Sequence, residues 1–264
     1  MARSAILNVM VNAVLKAGRS LARDFGEVEN LQVSVKGPGD FVAQAARKAG
    51  QTLQDELQKG RPGYSYLSAR TGAIDGDDAQ HRWIVEPLDG ATNFLHGIPL
   101  FAISVALERQ GQLAAAVVYN PAMDELCTAE RGGGAFLNDR RMRVAARRDL
   151  ADAIVATGIP HLGRANHPRA LGQLQAIAQE CAGIRGLGST VVDLTWLASG
   201  RCDGFWENAR NPWHVAAGAL LVREAGGFVS GLDGRPEVLE APTVVAGNEA
   251  IHGALLRLLA KSGA

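Results

Sequence analysis

Two carboxylates stand three residues apart, at the end of an apolar run and directly before a glycine turn. Glu86 and Asp89 follow the run at residues 83–85, and Gly90 begins the turn. Carboxylate oxygens suit a hard cation, and the N–H groups of such a turn face an anion. Pro87 and Gly90 restrict the backbone, so a solvated loop is the less favoured interpretation. The spacing therefore predicts a site for a cation and a phosphate.

The stretch at residues 83–107 resembles the signature of the inositol monophosphatase family, D-P-[IL]-D-G-T-x-N-F. A second family signature, W-D-x-A-A-G, has a counterpart at residues 213–218, and the likeness continues through residues 223–227. The resemblance covers nearly the whole chain. It implies an α/β (α+β) fold, the layered αβαβα sandwich shared with fructose-1,6-bisphosphatase, and a homodimer.

Several residues differ from the family at the positions that carry its chemistry. In the family, carboxylates at 70, 86, 89 and 214 and the carbonyl at 88 hold two or three Mg²⁺ ions, and a threonine at 91 orients water. This sequence has, in order, Arg70, Glu86, Leu88, Asp89, Ala91 and His214. Family acids at positions 46 and 69 are replaced by Ala46 and Ala69.

These replacements predict a weakened Mg²⁺ site. Mg²⁺ prefers oxygen ligands, whereas histidine suits transition metals better. A cation at position 70 would oppose a metal by roughly 4 kcal/mol per pair of unit charges at ~4 Å, for a dielectric of ~20. We predict no specific cofactor: Mg²⁺ is not expected, and Mn²⁺, Zn²⁺ or Fe²⁺ stay open. Whether the protein is an enzyme is also open.

Three hypotheses follow. In the first, the protein is a pseudo-phosphatase in which Arg70 pairs with Glu86 and Asp89 in the metal's place. In the second, the pocket is repurposed, and Glu86, Asp89 and His214 perform acid–base chemistry or bind another metal. The first two form the main prediction. The third, residual phosphomonoesterase activity on an inositol or sugar phosphate, is the alternative.

The surrounding residues predict the rest of the pocket. We assign catalysis to Glu86, Asp89, His214 and Arg70, and substrate binding to Gly90, Ala91, Thr92, Gly188, Ser189 and Glu207. Gly188 and Ser189 precede a helix, whose N-terminus favours an anion. By the resemblance, Glu207 stands where the family contacts substrate hydroxyls. His214 lies in the first turn of a helix, so we expect a neutral imidazole.

Composition narrows the partners and the compartment. The 264 residues carry 27 Lys plus Arg and 27 Asp plus Glu, so no net field attracts nucleic acid. The basic run at 140–148 reads as a solvated hairpin, and no apolar run is long enough to span a membrane. The three cysteines fit no metal spacing and suggest a reducing compartment. We expect a cytoplasmic protein that does not bind nucleic acid directly.

Periodicity predicts the elements that position these residues. Apolar stripes indicate helices at 4–24 and 40–59, and alternation indicates antiparallel strands at 113–119, 125–129 and 135–137. From residue 151, strands alternate with helices. We expect an N-terminal half at 1–150 carrying the acid motif and a C-terminal half at 151–264, packed as one compact unit.

Overall fold

The computed structural model describes residues 3–28, 38–161, 167–208 and 211–262. This part of the chain forms seven α-helices and two sheets. The helices are α1 Ala5–Gly26, α2 Pro38–Gly60, α3 Ala91–Leu95, α4 His167–Ala178, α5 Thr190–Ala198, α6 Pro212–Glu224 and α7 Glu249–Ser262.

The larger sheet has eight strands, in the order β2-β1-β3-β4-β5-β6-β7-β8. They are β1 Tyr64–Ser68, β2 Gly72–Ile74, β3 Asp78–Asp89, β4 Ala102–Arg109, β5 Gln112–Asn120, β6 Glu125–Glu130, β7 Gly134–Leu137 and β8 Arg140–Arg141. The smaller sheet has five, in the order β10-β9-β11-β13-β12. They are β9 Ile154–Thr157, β10 Gly183–Arg185, β11 Gly204–Asn208, β12 Phe228–Gly231 and β13 Thr243–Gly247.

Five layers alternate helix and sheet. Helices α1 and α2 cover one face of the larger sheet, and α5 and α6 lie between the two sheets. Helices α4 and α7 cover the outer face of the smaller sheet. Each layer buries its apolar side against the next. One group of buried side chains fills the space between the two sheets, around α5 and α6, and two further groups lie under the outer helix layers. The predicted αβαβα sandwich is confirmed.

Helix α1 shows how the local sequence produces an element. The hydroxyl of Ser4 accepts a hydrogen bond from the main-chain N–H of Leu7 at 3.2 Å and so caps the helix. Buried residues Met10, Val14 and Leu21 recur at helical spacing along one face. Both predicted N-terminal helices are confirmed, with ends shifted by one or two residues.

The strand predictions hold for the central antiparallel block. Strand β3 begins at Asp78, earlier than the predicted apolar core of the strand, and β12 was not anticipated. The larger sheet ends at Arg141 and the smaller begins at Ile154. The division into halves at residue 150 stays a prediction. Among the described helices, none has the length and apolar character needed to cross a bilayer.

Candidate functional site

The two acids reach the same cleft through a β-bulge. Residues three apart on a regular strand point to opposite faces, because side chains alternate. Glu86 pairs with Ser104 and Asp89 with Ala102, so β3 has one residue more than β4 over this stretch. The extra residue turns the Asp89 side chain to the same face of the sheet as the Glu86 side chain. The spacing seen in the sequence is therefore usable only because the strand is irregular there.

Gly90 lets the chain turn sharply after the second acid. Its φ is 84°, in the left-handed region, and an added Cβ would lie 2.7 Å from the carbonyl oxygen of Leu100. Only glycine tolerates both conditions. The next two residues, Ala91 and Thr92, begin α3 and are exposed. Of the predicted turn residues, Gly90 is buried, whereas Ala91 and Thr92 are open to a ligand.

Asp89 is held by the start of α5, a hundred residues away in sequence. Its Oδ2 accepts a hydrogen bond from the Ser189 hydroxyl at 2.7 Å and from the main-chain N–H of Val191 at 2.8 Å. Ser189 also caps α5, since its hydroxyl accepts from the N–H of Val192 at 3.2 Å. A carboxylate at a helix N-terminus is favoured by the helix dipole. The predicted contact residue Ser189 thus lies in the cleft.

Asn93 joins the two sides of the cleft. Its amide nitrogen donates to the carbonyl of Leu100 at 2.7 Å and to that of Leu187 at 2.6 Å. Gly188 has a φ of 78°, and an added Cβ would lie 2.8 Å from the Asn93 amide. Sequence reasoning did not assign Asn93 a role, although it lies within the signature stretch.

Glu86 and His214 form a close pair. His214 Nε2 lies 3.3 Å from Glu86 Oε2, and Glu86 Oε1 accepts from the N–H of Leu88 at 3.2 Å. Glu86 is buried, with 6% of its surface exposed. Pro212 starts α6 and places His214 in the first turn, as predicted. His214 Nδ1 is buried and has no hydrogen-bond partner among the described residues.

The pKa of His214 is shifted in the direction opposite to the one that the neutral imidazole prediction implies. Burial lowers the pKa of His214, but the hydrogen bond to Glu86 and the charges of Asp89, Glu86 and Glu207 outweigh burial. The net effect raises the pKa above its ordinary value. Three nearby carboxylates therefore dominate over the helix dipole, which acts only over about one turn.

Glu207 is oriented by a residue that sequence reasoning missed. The hydroxyl of Thr190 donates to Glu207 Oε2 at 2.6 Å, and both side chains are buried. Thr190 is the first residue of α5 and directly follows the cap Ser189. Consecutive hydroxyls at the start of α5 thus reach two different acids. A Ser-Thr pair at a predicted helix start was the signal that could have indicated this.

Arg70 does not join the acids. Its guanidinium donates to the carbonyl of Ala43 in α2 at 3.0 Å, and within the described residues no ion pair links Arg70 to Glu86 or Asp89. The turn after β1 directs its stem toward α2, where an added Cβ at Gly50 would lie 3.8 Å from Arg70 Cδ. The prediction that Arg70 fills the metal's place by pairing with Glu86 and Asp89 is wrong, because its guanidinium is hydrogen-bonded to the main chain of α2 instead.

The side chains of the cleft do not fit a cluster of Mg²⁺ ions as they stand. Across the described ranges, no three side chains of the His, Cys, Asp or Glu types are placed to hold one metal ion. Asp89 Oδ2 already accepts two hydrogen bonds, and Glu86 is engaged by Leu88 and His214. Mg²⁺ needs about six oxygen ligands. The chemistry proposed below is therefore assigned to protein groups alone.

Alternating helix and sheet layers, with acids at a bulged strand end facing a helix N-terminus, define a layered α/β sandwich with an acidic cleft. A model of the inositol monophosphatase family matches residues 2–264. The chain belongs to the inositol monophosphatase family.

Individual relatives are similar over nearly their full length. The inositol-1-monophosphatase of Mesorhizobium japonicum is 62% identical, with 99% of this chain and 98% of the relative covered. That of Rhizobium meliloti is 61% identical, with 98% and 97% covered. The crystal structure of the extragenic suppressor protein suhB from Bartonella henselae has a TM-score of 0.90 and 55% identity, with 98% of this chain and 99% of that chain covered.

These relatives correct the main prediction from the sequence. A pseudo-phosphatase, or a repurposed pocket built on a degenerate metal site, is wrong, since relatives 62% and 61% identical are named inositol-1-monophosphatase. They support an ordinary phosphatase, which the alternative prediction matches better. The prediction considered only the replaced carboxylates, one position at a time. It did not include the contacts that the fold supplies, namely His214 beside Glu86 and two hydrogen-bond donors to Asp89.

Proposed function

We propose that this protein hydrolyses the phosphate monoester of a small polyol, with inositol 1-phosphate as the first substrate to test. The observation that carries the proposal is the 62% identity, over nearly the whole chain, to a relative named inositol-1-monophosphatase. The cleft at the end of β3 supports it, because acids, a histidine and the start of α5 meet there. Hydrolysis of such an ester needs a positioned water, a proton for the leaving oxygen and groups that hold the phosphate.

Glu86 and His214 are the proposed acid–base pair. Their contact at 3.3 Å lets the carboxylate orient the imidazole, as general acid–base pairs require. A water oxygen attacks phosphorus and gives a proton to Glu86, the ester P–O bond breaks, and the leaving alcohol oxygen takes up a proton. Protonated His214 is proposed to supply that proton, and the proton on Glu86 then passes to His214 across their contact.

Asp89 is proposed to act as an anchor. Both hydrogen bonds to its Oδ2 come from the start of α5, so its position relative to Glu86 is fixed by the helix. Gly90, Ala91 and Thr92 are the proposed phosphate contacts, because their turn lies beside Asp89 with Ala91 and Thr92 exposed. Arg70 is left out of the proposed machinery, since it binds the carbonyl of Ala43.

Glu207 is the proposed contact to the substrate hydroxyls, with Gly188 and Ser189 on the same side of the cleft. A carboxylate accepts hydrogen bonds from vicinal hydroxyl groups and so distinguishes a polyol from an apolar alcohol. Thr190 keeps one oxygen of Glu207 engaged at 2.6 Å. The substrate's sugar-like half would therefore lie toward β11 and its phosphate toward α3.

The test is release of inorganic phosphate from inositol 1-phosphate by the purified, chelator-stripped protein. The assay is run without metal and then with Mg²⁺, Mn²⁺ or Zn²⁺, next to glycerol 2-phosphate and a phosphorylated sugar. We expect turnover that His214→Ala and Glu86→Gln reduce by at least about a hundredfold, the usual minimum for an acid–base group. No phosphate release from any of these esters under any metal condition would overturn the proposal.

Assembly and compartment belong to the same proposal. We expect a homodimer in the cytoplasm, on the family resemblance and the scattered cysteines, and no direct binding to nucleic acid, on the balance of 27 basic and 27 acidic residues. Sedimentation equilibrium checks the dimer. A monomer at micromolar concentration would contradict it without affecting the proposed reaction.

A further inference from the structure

A cavity in the larger sheet lies at the opposite end of strand β3 from the acids. It has a volume of about 180 Å³ and is found where β3 begins and β4 ends. We call it the arginine pocket, after its polar lining residues Arg61, Arg109, Arg131, Tyr64, His81 and Glu130. None of these residues belongs to the candidate active site.

Strand pairing explains why polar residues meet there. His81 pairs with Arg109 across β3 and β4, two residues from the pair Trp83 and Leu107. Alternation therefore puts His81 and Arg109 on the face that α1 and α2 cover. Helix α1 begins at Ala5 and α2 ends at Gly60, so the helix layer ends over this part of the sheet. Charged side chains occupy the gap that the helices leave.

Two of the guanidinium groups are held in place by neutral acceptors. Arg131 donates from Nε to the carbonyl of Leu113 at 2.8 Å and also bonds the side chain of Gln112. Arg61 donates to the carbonyl of Gly60 at 2.7 Å. Within the described residues, no carboxylate forms an ion pair with Arg61, Arg109 or Arg131. Their positive charges are therefore not neutralised internally.

The charge of the pocket is positive overall. Glu130 is the acid in the lining, against three arginines, which leaves an excess of two positive charges. His81 Nδ1 lies 2.8 Å from Asp78 Oδ2. The Tyr64 ring stacks on the His81 imidazole, with 4.4 Å between the ring centroids and 6° between the ring planes. This stack makes one wall flat and rigid. The N-terminus of α1 and the C-terminus of α2 carry opposite partial charges, so their effects on the pocket offset each other. The guanidinium groups therefore determine the sign of the electrostatic potential in the pocket.

We propose that the arginine pocket binds a small phosphate-bearing anion, either inorganic phosphate or a compact phosphate monoester. Guanidinium groups bind phosphate oxygens through paired, charge-assisted hydrogen bonds, and pre-oriented ones lose less freedom on binding. The volume of about 180 Å³ is below the roughly 300 Å³ at which pockets begin to hold drug-sized ligands. A nucleotide is therefore too large, and a phosphate group fits.

The probe is inorganic phosphate, added to protein labelled with ¹⁵N at arginine, with the Nε–H signals followed by NMR. We expect the signals of Arg109 and Arg131 to shift together and to saturate. In the double variant Arg109→Gln with Arg131→Gln, the affinity for phosphate at this site falls at least tenfold. The same titration with glycerol 2-phosphate separates free phosphate from a monoester as the preferred source.

The matched control is Arg140→Gln with Arg143→Gln, which removes the same charge from exposed positions elsewhere. Its phosphate titration should equal that of the unaltered protein. Shifts that never saturate, or equal losses in both double variants, would mean diffuse attraction by surface charge and would overturn the proposal. If the first double variant fails to fold, Arg109→Gln alone decides, because the Arg109 side chain is exposed.

The test of the arginine pocket can be distinguished from the test of the proposed reaction. Phosphate is also a product of that reaction, so it can bind near Asp89, and those shifts belong to other residues. Hydrolysis of inositol 1-phosphate is measured on the same variants and is expected to be unchanged by Arg109→Gln. In the unaltered protein, hydrolysis without saturable shifts of Arg109 and Arg131 would overturn the arginine pocket alone, and saturable shifts without hydrolysis would overturn the proposed reaction alone.

Discussion

At the residue scale, Thr190 and Glu207 form a buried polar pair in the cleft. Both are buried, and the hydroxyl-to-carboxylate distance is 2.6 Å. Valine has nearly the shape of threonine and no hydroxyl, so Thr190→Val leaves one oxygen of Glu207 without this donor. A buried acceptor without its partner costs about 1–3 kcal/mol.

We therefore expect Thr190→Val to raise KM for inositol 1-phosphate severalfold while changing kcat less, and Thr190→Ser to restore most of the loss. Steady-state kinetics on the three proteins check this. Equal KM values for Val and Ser variants would show that the hydroxyl does not position Glu207.

Gly90 supports a second prediction at this scale. Gly90→Ala adds a Cβ at 2.7 Å from a carbonyl oxygen in a left-handed conformation, whereas Gly97→Ala adds one at a φ of 68° with no atom within 4 Å. The control therefore carries the conformational strain without the clash. We expect Gly97→Ala to cost about 1 kcal/mol and Gly90→Ala about 2 kcal/mol more in free energy of unfolding. Urea titration measures both, and equal losses would exclude the clash as the reason for glycine.

At the element scale, Asn93 connects α3 to the turn before α5. It donates to two carbonyls, at 2.7 and 2.6 Å, one of them 94 residues away in sequence. Asn248 is a matched case outside the cleft, since its amide also donates to two carbonyls, those of Ala145 and Arg147 at 2.9 and 2.6 Å. Comparing variants of the two asparagines therefore distinguishes a role in stability from a role in positioning the cleft residues.

We expect Asn93→Ala and Asn248→Ala each to lower the free energy of unfolding by about 1–3 kcal/mol. Only Asn93→Ala should also reduce kcat/KM, because it loosens the start of α5 that holds Asp89. Thermal unfolding and phosphate release on both variants provide the comparison. A similar loss of activity in Asn248→Ala would show that stability alone governs turnover.

At the scale of the whole molecule, stability is coupled to pH through His252. Its Nε2 lies 2.8 Å from the Ser230 hydroxyl, and burial lowers the pKa of His252. The unfolded chain, with an ordinary histidine pKa of about 6.5, therefore binds a proton more readily than the folded protein. The contribution is fully present above pH 6.5 and is lost as the pH falls from there toward the lowered pKa of the folded state.

We expect the urea midpoint of the unaltered protein to fall more steeply between pH 7.5 and pH 5.5 than that of His252→Gln. His214, whose pKa is raised, contributes in the opposite sense in both proteins and cancels from the comparison. Parallel curves would show that His252 is not the titrating group.

The sequence by itself determined the family, the layered fold and the identity of most cleft residues, because these depend on local patterns. Apolar periodicity marks α1 and α2, and the spacing from Glu86 to Gly90 marks the strand end and the turn. The prediction from the sequence was wrong in concluding that the replaced residues had removed phosphatase activity. Reading Arg70 as a substitute for the metal assumed a direction for its side chain that no local pattern specifies.

Only the tertiary structure decided how these residues work together. The bulge between β3 and β4 brings Glu86 and Asp89 to one face, and Asp89 meets Ser189 and Val191 across 100 and 102 residues of sequence. Thr190 selects Glu207 for the same reason, since α5 packs beside β11. Hydrogen bonds between such distant segments exist only after the layers have packed, because packing alone sets which donor lies within 3 Å of which acceptor.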